Sequence, residues 1–161
     1  MAKTATKGTD IKSALGQLED QLKVYFADKA PALPENIKEL IVKFAPWLTI
    51  IGVVMGAFAF LALIGLGAFM VPLGTIGGMM SGQPFAGFGY IVTTVVTGLI
   101  VVMEAISISG LFKRAKSAWN IMFYVSLVNV VNNLVHFDLI GLVLGAVISW
   151  YFLFQVRSYY K

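Results

Sequence analysis

A single carboxylate stands in the most apolar part of this chain. Glu104 is the one charged side chain in residues 47–112. Lipid penalises charge that faces it, so a carboxylate in such a stretch has a reason to be there. It can be read in two ways. Glu104 lines an ion or proton path, or it ties helices together through hydrogen bonds to Ser107, Ser126 or Asn129. A second polar set comes later in the sequence: Asn129, Asn132 and Asn133, with His136 and Asp138 beyond them. Residues three and four apart share a helix face, so Asn129 and either Asn132 or Asn133 point the same way. Three amides in an apolar segment need partners. They line a hydrated cavity, or they hold helices together.

Other chemistry is scarce. His136 and Asp138 supply two metal ligands, whereas zinc sites take three or four from the protein, so no metal is assigned. The chain has one His and no Cys. It contains no GxSxG, HExxH, phosphate-loop or dinucleotide fingerprint. Gly74, Gly77 and Gly78 lie close together but lack the lysine of a phosphate loop. The reading is a protein without catalytic residues or cofactor. Lys113, Arg114 and Lys116 form a basic cluster that contacts lipid headgroups or simply sets topology.

The elements that must position these residues are set by composition. The chain of 161 residues is 58% hydrophobic and 12% charged. Soluble domains carry about a quarter charged residues, so this composition points to a bilayer. The charge is concentrated in residues 1–45, a polar N-terminal arm; residues 46–161 form an apolar body. A net charge of +4, dispersed along the chain, argues against a nucleic-acid partner. No signal-peptide pattern is visible in the first forty residues, so the first apolar segment is expected to act as an uncleaved anchor.

Residues 1–8 read as disordered. From Asp10, Ile11, Leu15, Leu18, Leu22 and Tyr25 recur at helical spacing, which predicts an amphipathic helix. Pro31 and Pro34 end it. Ile37, Leu40, Ile41 and Phe44 then mark one face of a short helix lying on the membrane surface. Four apolar segments come next, at 46–70, 88–112, 118–135 and 139–156. At 1.5 Å per residue, the first two reach about 37 Å and the last two about 27 Å, against a hydrocarbon core of ~30 Å. Residues 71–87, rich in Gly and Pro, read as a turn-rich connection resting on the bilayer surface or folding partway back. The expected fold is all-α: a polytopic membrane protein with four transmembrane helices in a bundle, preceded by an amphipathic and an interfacial helix.

With four crossings, Lys38, Lys43, Lys113, Arg114, Lys116, Arg157 and Lys161 fall on one side, and neither opposite connection holds a Lys or Arg. The positive-inside rule then puts both termini in the cytoplasm, with the body in a bacterial inner membrane. Trp47, Trp119, Tyr159 and Tyr160 are expected at the cytoplasmic interface and Tyr90 at the other. Trp150 and Tyr151, lying deeper, are expected to pack against neighbours. Folding the second and third segments about Ala115 sets Glu104 level with Ser126. Gly52 and Gly56 form one GxxxG; Gly141 and Gly145, extended to Ser149, form another. These serve packing within the chain or contact between copies.

Residues 110–119 (GLFKRAKSAW) and 153–160 (LFQVRSYY) resemble those of small uncharacterised bacterial multi-spanning membrane proteins, a likeness that implies no activity. Small multidrug exporters also have four spans and one membrane glutamate. This chain departs from them in placing its Glu in the second span, in its long arm and in its strong charge bias. The leading expectation is a structural or interaction protein that assembles with itself or another membrane protein. The alternative is a small transporter or channel using Glu104 and the asparagine face.

Overall fold

A computed structural model describes residues 7–82, 86–136 and 138–161, and among them the chain is helical without strands. The expectation of disorder at the extreme N-terminus falls largely outside the described residues, as does Phe137. The first helix, α1, runs Lys7–Lys23 and passes into a π-helical segment, Val24–Lys29. The apolar stripe read from the sequence is used in part: Leu22 is buried and Leu18 packs beside it, while Ile11 and Tyr25 remain exposed. Ala30 turns extended (φ −72°, ψ 151°) just before the proline-bounded linker, as the prolines require.

Helix α2 then runs unbroken from Glu35 to Met80, 46 residues, or about 69 Å. Here the structure corrects the sequence reading twice. The interfacial helix and the first span are one helix through Pro46, and residues 71–80 continue it through Pro72 instead of forming a turn-rich connection. Proline costs a water-exposed helix roughly 3 kcal/mol. Packing overrides that propensity: Pro46 is buried, and next to Pro72 the backbone of Gly87 lies against Val71 and Thr75. The helix ends at Ser81, whose backbone N and Oγ both bond Gly77 O at 3.0 and 2.9 Å. Gly82 comes next with φ +75°, a conformation that favours glycine.

Helix α3, Ala86–Phe112, returns antiparallel against α2. Glycines set the spacing. A β-carbon built on Gly56 would lie 2.8 Å from Val101 Cγ2, and one on Gly98 2.6 Å from the Phe60 ring. Tyr90 donates to Leu63 O across the same pair. Helix α4, Lys116–Val135, runs back along α3. Gly110 meets Ala118, Ser107 Oγ lies 3.4 Å from Met122 Sδ, and Thr93 Oγ1 lies 2.8 Å from His136 Nε2. The tight turn between them puts Arg114 at φ 52°, where non-glycine residues are uncommon. Lys161 N bonds Arg114 O and Lys116 N bonds Lys161 O, each at 2.9 Å, so the tail braces this turn. Helix α5, Leu139–Gln155, packs on α4 and ends in a 3₁₀ turn, Arg157–Tyr159.

The core lies at the end of the molecule where α4 starts and α5 finishes. Trp119 and Phe123 stack at 5.7 Å, and Phe154 meets both edge-on at 5.4 and 5.8 Å. The Trp119 indole donates to Leu153 O at 2.9 Å. Leu22, Val42, Leu111, Ala118, Val156 and Tyr160 complete the cluster. Trp119 and Tyr160 are therefore core residues, 1% and 6% exposed. Trp47 is exposed and meets Phe112 edge-on. Away from this end, long faces of α2, α3 and α5 carry exposed Leu, Ile, Val, Phe and Met.

Candidate functional site

Polar groups from several of the apolar helices converge just below that core. A cavity of about 280 Å³ is lined from α2 by Thr49, from α3 by Glu104, from α4 by Ser126 and Asn129, and from α5 by Ser149, with Trp119 and Tyr160 toward the core end. Four helices thus contribute to one space. Glu104 lies over Gly52, where a β-carbon would stand 3.5 Å from Oε2. The carboxylate thus lies beside α2 at Gly52, at an ordinary contact distance even for an added methyl. Among the described residues nothing donates a hydrogen bond to that carboxylate; Ser107 Oγ bonds the Glu104 backbone carbonyl instead, at 2.7 Å. An ionised carboxylate has several lone-pair sites to satisfy, and the cavity is the space from which a cation, a proton or water can do so.

Ser126 is fixed. Its hydroxyl bonds Phe123 O at 2.6 Å and accepts from the Trp150 indole at 3.0 Å. Asn129 spends one amide hydrogen on Val125 O at 3.2 Å, which leaves its carbonyl oxygen and second hydrogen for the cavity. A further cavity of about 240 Å³ shares Ser126, Asn129 and Ser149, and adds Asn133 and Gly145. Together the two make a polar file along the α4–α5 seam, from Glu104 toward the His136 end.

The residues singled out from sequence divide as follows. Glu104, Ser126 and Asn129 come together in one cavity, and Asn133 joins through the second. Asn132 does not. It lines an apolar cleft with Val92, Val96 and Val135, and its Oδ1 is buried without a partner. Of two asparagines compatible with the face of Asn129, the one four residues on is used. Gly52 and Gly56 serve α3 within the chain. At Gly141 the space is taken by the Asp138 carboxylate, which accepts from Gly141 N at 2.8 Å and caps α5. Gly145 meets nothing within 4 Å, and with Ser149 it opens the groove. His136 is engaged with Thr93, so the two metal-ligand types of that turn have separate partners. The sequence marks Ser149 as a packing residue and Trp150 as a neighbour-packing ring; their places in the polar file have no local signal.

The arm closes the core end. Gln155, 5% exposed, donates to Phe26 O at 2.9 Å and accepts from Leu33 N at 3.1 Å. Tyr151 donates to Pro31 O at 2.7 Å, Phe26 meets Trp150 edge-on, and Arg157 pairs with Glu19. Tyr159 donates to the Glu35 carboxylate. That bond, and after it Lys38, holds the Glu35 carboxyl below its ordinary range, and the same bond raises the Tyr159 phenol. Burial pushes the Tyr160 phenol up, with Arg114 opposing. The amphipathic arm therefore docks on the chain's own tail.

Comparison with known protein families, with curated proteins and with solved structures finds no match. Three of the described helices, α2, α3 and α4, are long and apolar enough to cross a membrane. Helix α5 is apolar but has 17 residues, about 26 Å.

Proposed function

We propose that this is a four-pass membrane protein of interaction type that assembles with itself or with another membrane protein. In this reading α5 and its 3₁₀ turn supply the fourth crossing, both termini are cytoplasmic, and the membrane is a bacterial inner membrane. The observation that supports assembly is a mismatch of length. Helix α4 ends where His136 reaches Thr93, after 20 residues, or about 30 Å. Helix α2 continues some 25 Å past Leu63, the partner of Tyr90 near that level. The protruding α2–α3 tip is free of charge, and it exposes Leu73, Ile76, Met79, Met80 and Phe88. Transmembrane helices tilt by up to ~40°, too little to bring a 46-residue helix within the hydrocarbon. A surface this apolar marks an interaction site.

Photo-cross-linking from position 79 or 88 in native membranes tests this. A discrete protein adduct, either a dimer of this chain or one partner band, is expected. Adducts with lipid alone refute assembly through the tip.

The Glu104 cavity favours a second reading, a small transporter or channel. A lone carboxylate facing a space that is shared by four helices and continued by Ser126, Asn129, Ser149 and Asn133 suits a proton or cation path. In proteoliposomes, Glu104→Gln should abolish proton-coupled flux without altering the unfolding midpoint. Equal flux in both proteins discards this path.

A further inference from the structure

A separate cavity of about 440 Å³ lies where the arm, the start of α4 and the tail meet. Its wall brings together Lys23, Lys38, Lys116 and Arg157, with Asp28 as the acid among its lining residues. The four bases come from the end of α1, the start of α2, the first position of α4 and the tail, so no stretch of sequence announces them. Two are partly balanced: Lys38 Nζ stands 3.1 Å from Glu35 Oε1, and Arg157 pairs with Glu19. Lys23 and Lys116 make no ion pair among the described residues. Positive charge remains in excess when Glu19 and Glu35 are counted.

Arg157 is the most constrained of the four. Its guanidinium lies 5.2 Å over the Trp119 ring, which fixes its plane. Its Nε is buried with no hydrogen-bond partner. The side chain as a whole is 25% exposed and lines the cavity, so the outer edge of the guanidinium is what an anion oxygen there can engage. Guanidinium and ammonium groups converging on one space, with the Ser158 hydroxyl beside them, match the chemistry of phosphate, which offers several charged acceptors to such donors. The cavity lies beside the basic α3–α4 turn, at the level where headgroups meet a membrane helix in the four-pass reading, and basic pockets there bind anionic headgroups. The volume exceeds what a phosphate alone fills, leaving room for a headgroup polyol.

We infer that this pocket binds a phosphate group, presented by an anionic lipid headgroup. Tyr160 also lines the Glu104 cavity, so its phenol stands between the two sites. The full chain, purified in a neutral maltoside detergent, is titrated with short-chain phosphatidylglycerol and separately with inorganic phosphate at constant ionic strength, and the thermal midpoint is read. Phosphatidylglycerol should raise the midpoint. Lys23→Gln with Lys116→Gln should weaken that response at least tenfold. Lys113→Gln with Lys161→Gln removes the same charge outside the pocket and should leave it intact. A rise with phosphatidylglycerol alone identifies a lipid site; an equal rise with inorganic phosphate identifies a site for the free anion. Should the double variant fold poorly, Lys23→Gln alone is expected to weaken the response about threefold. No rise with either compound overturns the inference, as does equal loss in the two double variants.

Discussion

Gly56 and Gly65 lie on the same helix, and alanine should act on them with opposite sign. At Gly56 the new β-carbon meets Val101 Cγ2 at 2.8 Å; at Gly65 it meets nothing within 4 Å. Carbon atoms rest at about 3.5–4.0 Å, so Gly56→Ala falls short of contact distance by roughly 0.7–1.2 Å. Val101 has little freedom to yield, since a β-branched side chain in a helix keeps one χ1 rotamer. Either α2 and α3 separate or the valine is forced off its rotamer, at about 1–3 kcal/mol. The helix-propensity gain of alanine over glycine, about 0.8–1.0 kcal/mol, applies at both sites and cancels in the comparison. Gly65→Ala should therefore be more stable than Gly56→Ala by about 1–3 kcal/mol, or roughly 5- to 150-fold in the unfolding constant. Unfolding in mixed detergent micelles, followed by tryptophan fluorescence, measures both. Coincident curves for the two variants would refute glycine-set spacing between α2 and α3. Gly52→Ala gives an internal control: its β-carbon would lie 3.5 Å from Glu104 Oε2, an ordinary contact, and should be tolerated.

Trp119→Ala removes a fully buried ring and should cost about 3–5 kcal/mol; Trp119→Phe, which loses chiefly the bond to Leu153 O, should cost about 1 kcal/mol in the same titration. Gln155→Ala leaves Phe26 O and Leu33 N without their partner, so amide exchange over residues 24–34 should quicken while that of α3 is unchanged. The Glu35–Tyr159 bond makes arm docking depend on pH at both extremes. Glu35 is lowered, so its contribution is present above the unfolded value of about 4.3 and is lost as pH falls through the lowered one. Tyr159 is raised, so its contribution is present below about 10 and is lost as pH rises through the raised value. The chain has no cysteine, so a label pair at Ser13→Cys and Ser158→Cys can report arm-to-tail distance across this range. Tyr159→Phe should flatten both limbs, and an unchanged profile in that variant refutes the assignment.

The helical, membrane-type character of the chain is plain in its charge pattern, and so are the break at Pro31–Pro34 and the tight turns around Ala115 and Asp138. Setting Glu104 near Ser126 needs only the turn position and the helical rise. Three features are hidden. Pro46 and Pro72 read as boundaries from local propensity, which packing overrides where Pro46 is buried and Gly87 is set against Val71 and Thr75. Asn132 and Asn133 are equally compatible with the face of Asn129, and only packing against α3 or α5 separates them. The basic pocket draws on Lys23, Lys38, Lys116 and Arg157, and the docked arm on Gln155 and Phe26. Such pairings, between segments far apart in the chain, leave no periodic trace. At Gly141 the Asp138 carboxylate takes the space beside the backbone, a local contact that a GxxxG spacing does not reveal.

The embrace of arm and tail also dictates an order of events at the ribosome. Phe26 and Gln155 are separated by 129 positions, which takes roughly 6–26 s to translate at ~5–20 residues per second. Throughout that interval the arm has been made while its docking partner has not. It must wait, solvated or held by a chaperone, until the final helix emerges. Docking of the arm is thus coupled to completion of the last helix, and a nascent chain stalled before α5 should display its first thirty residues to any protease present.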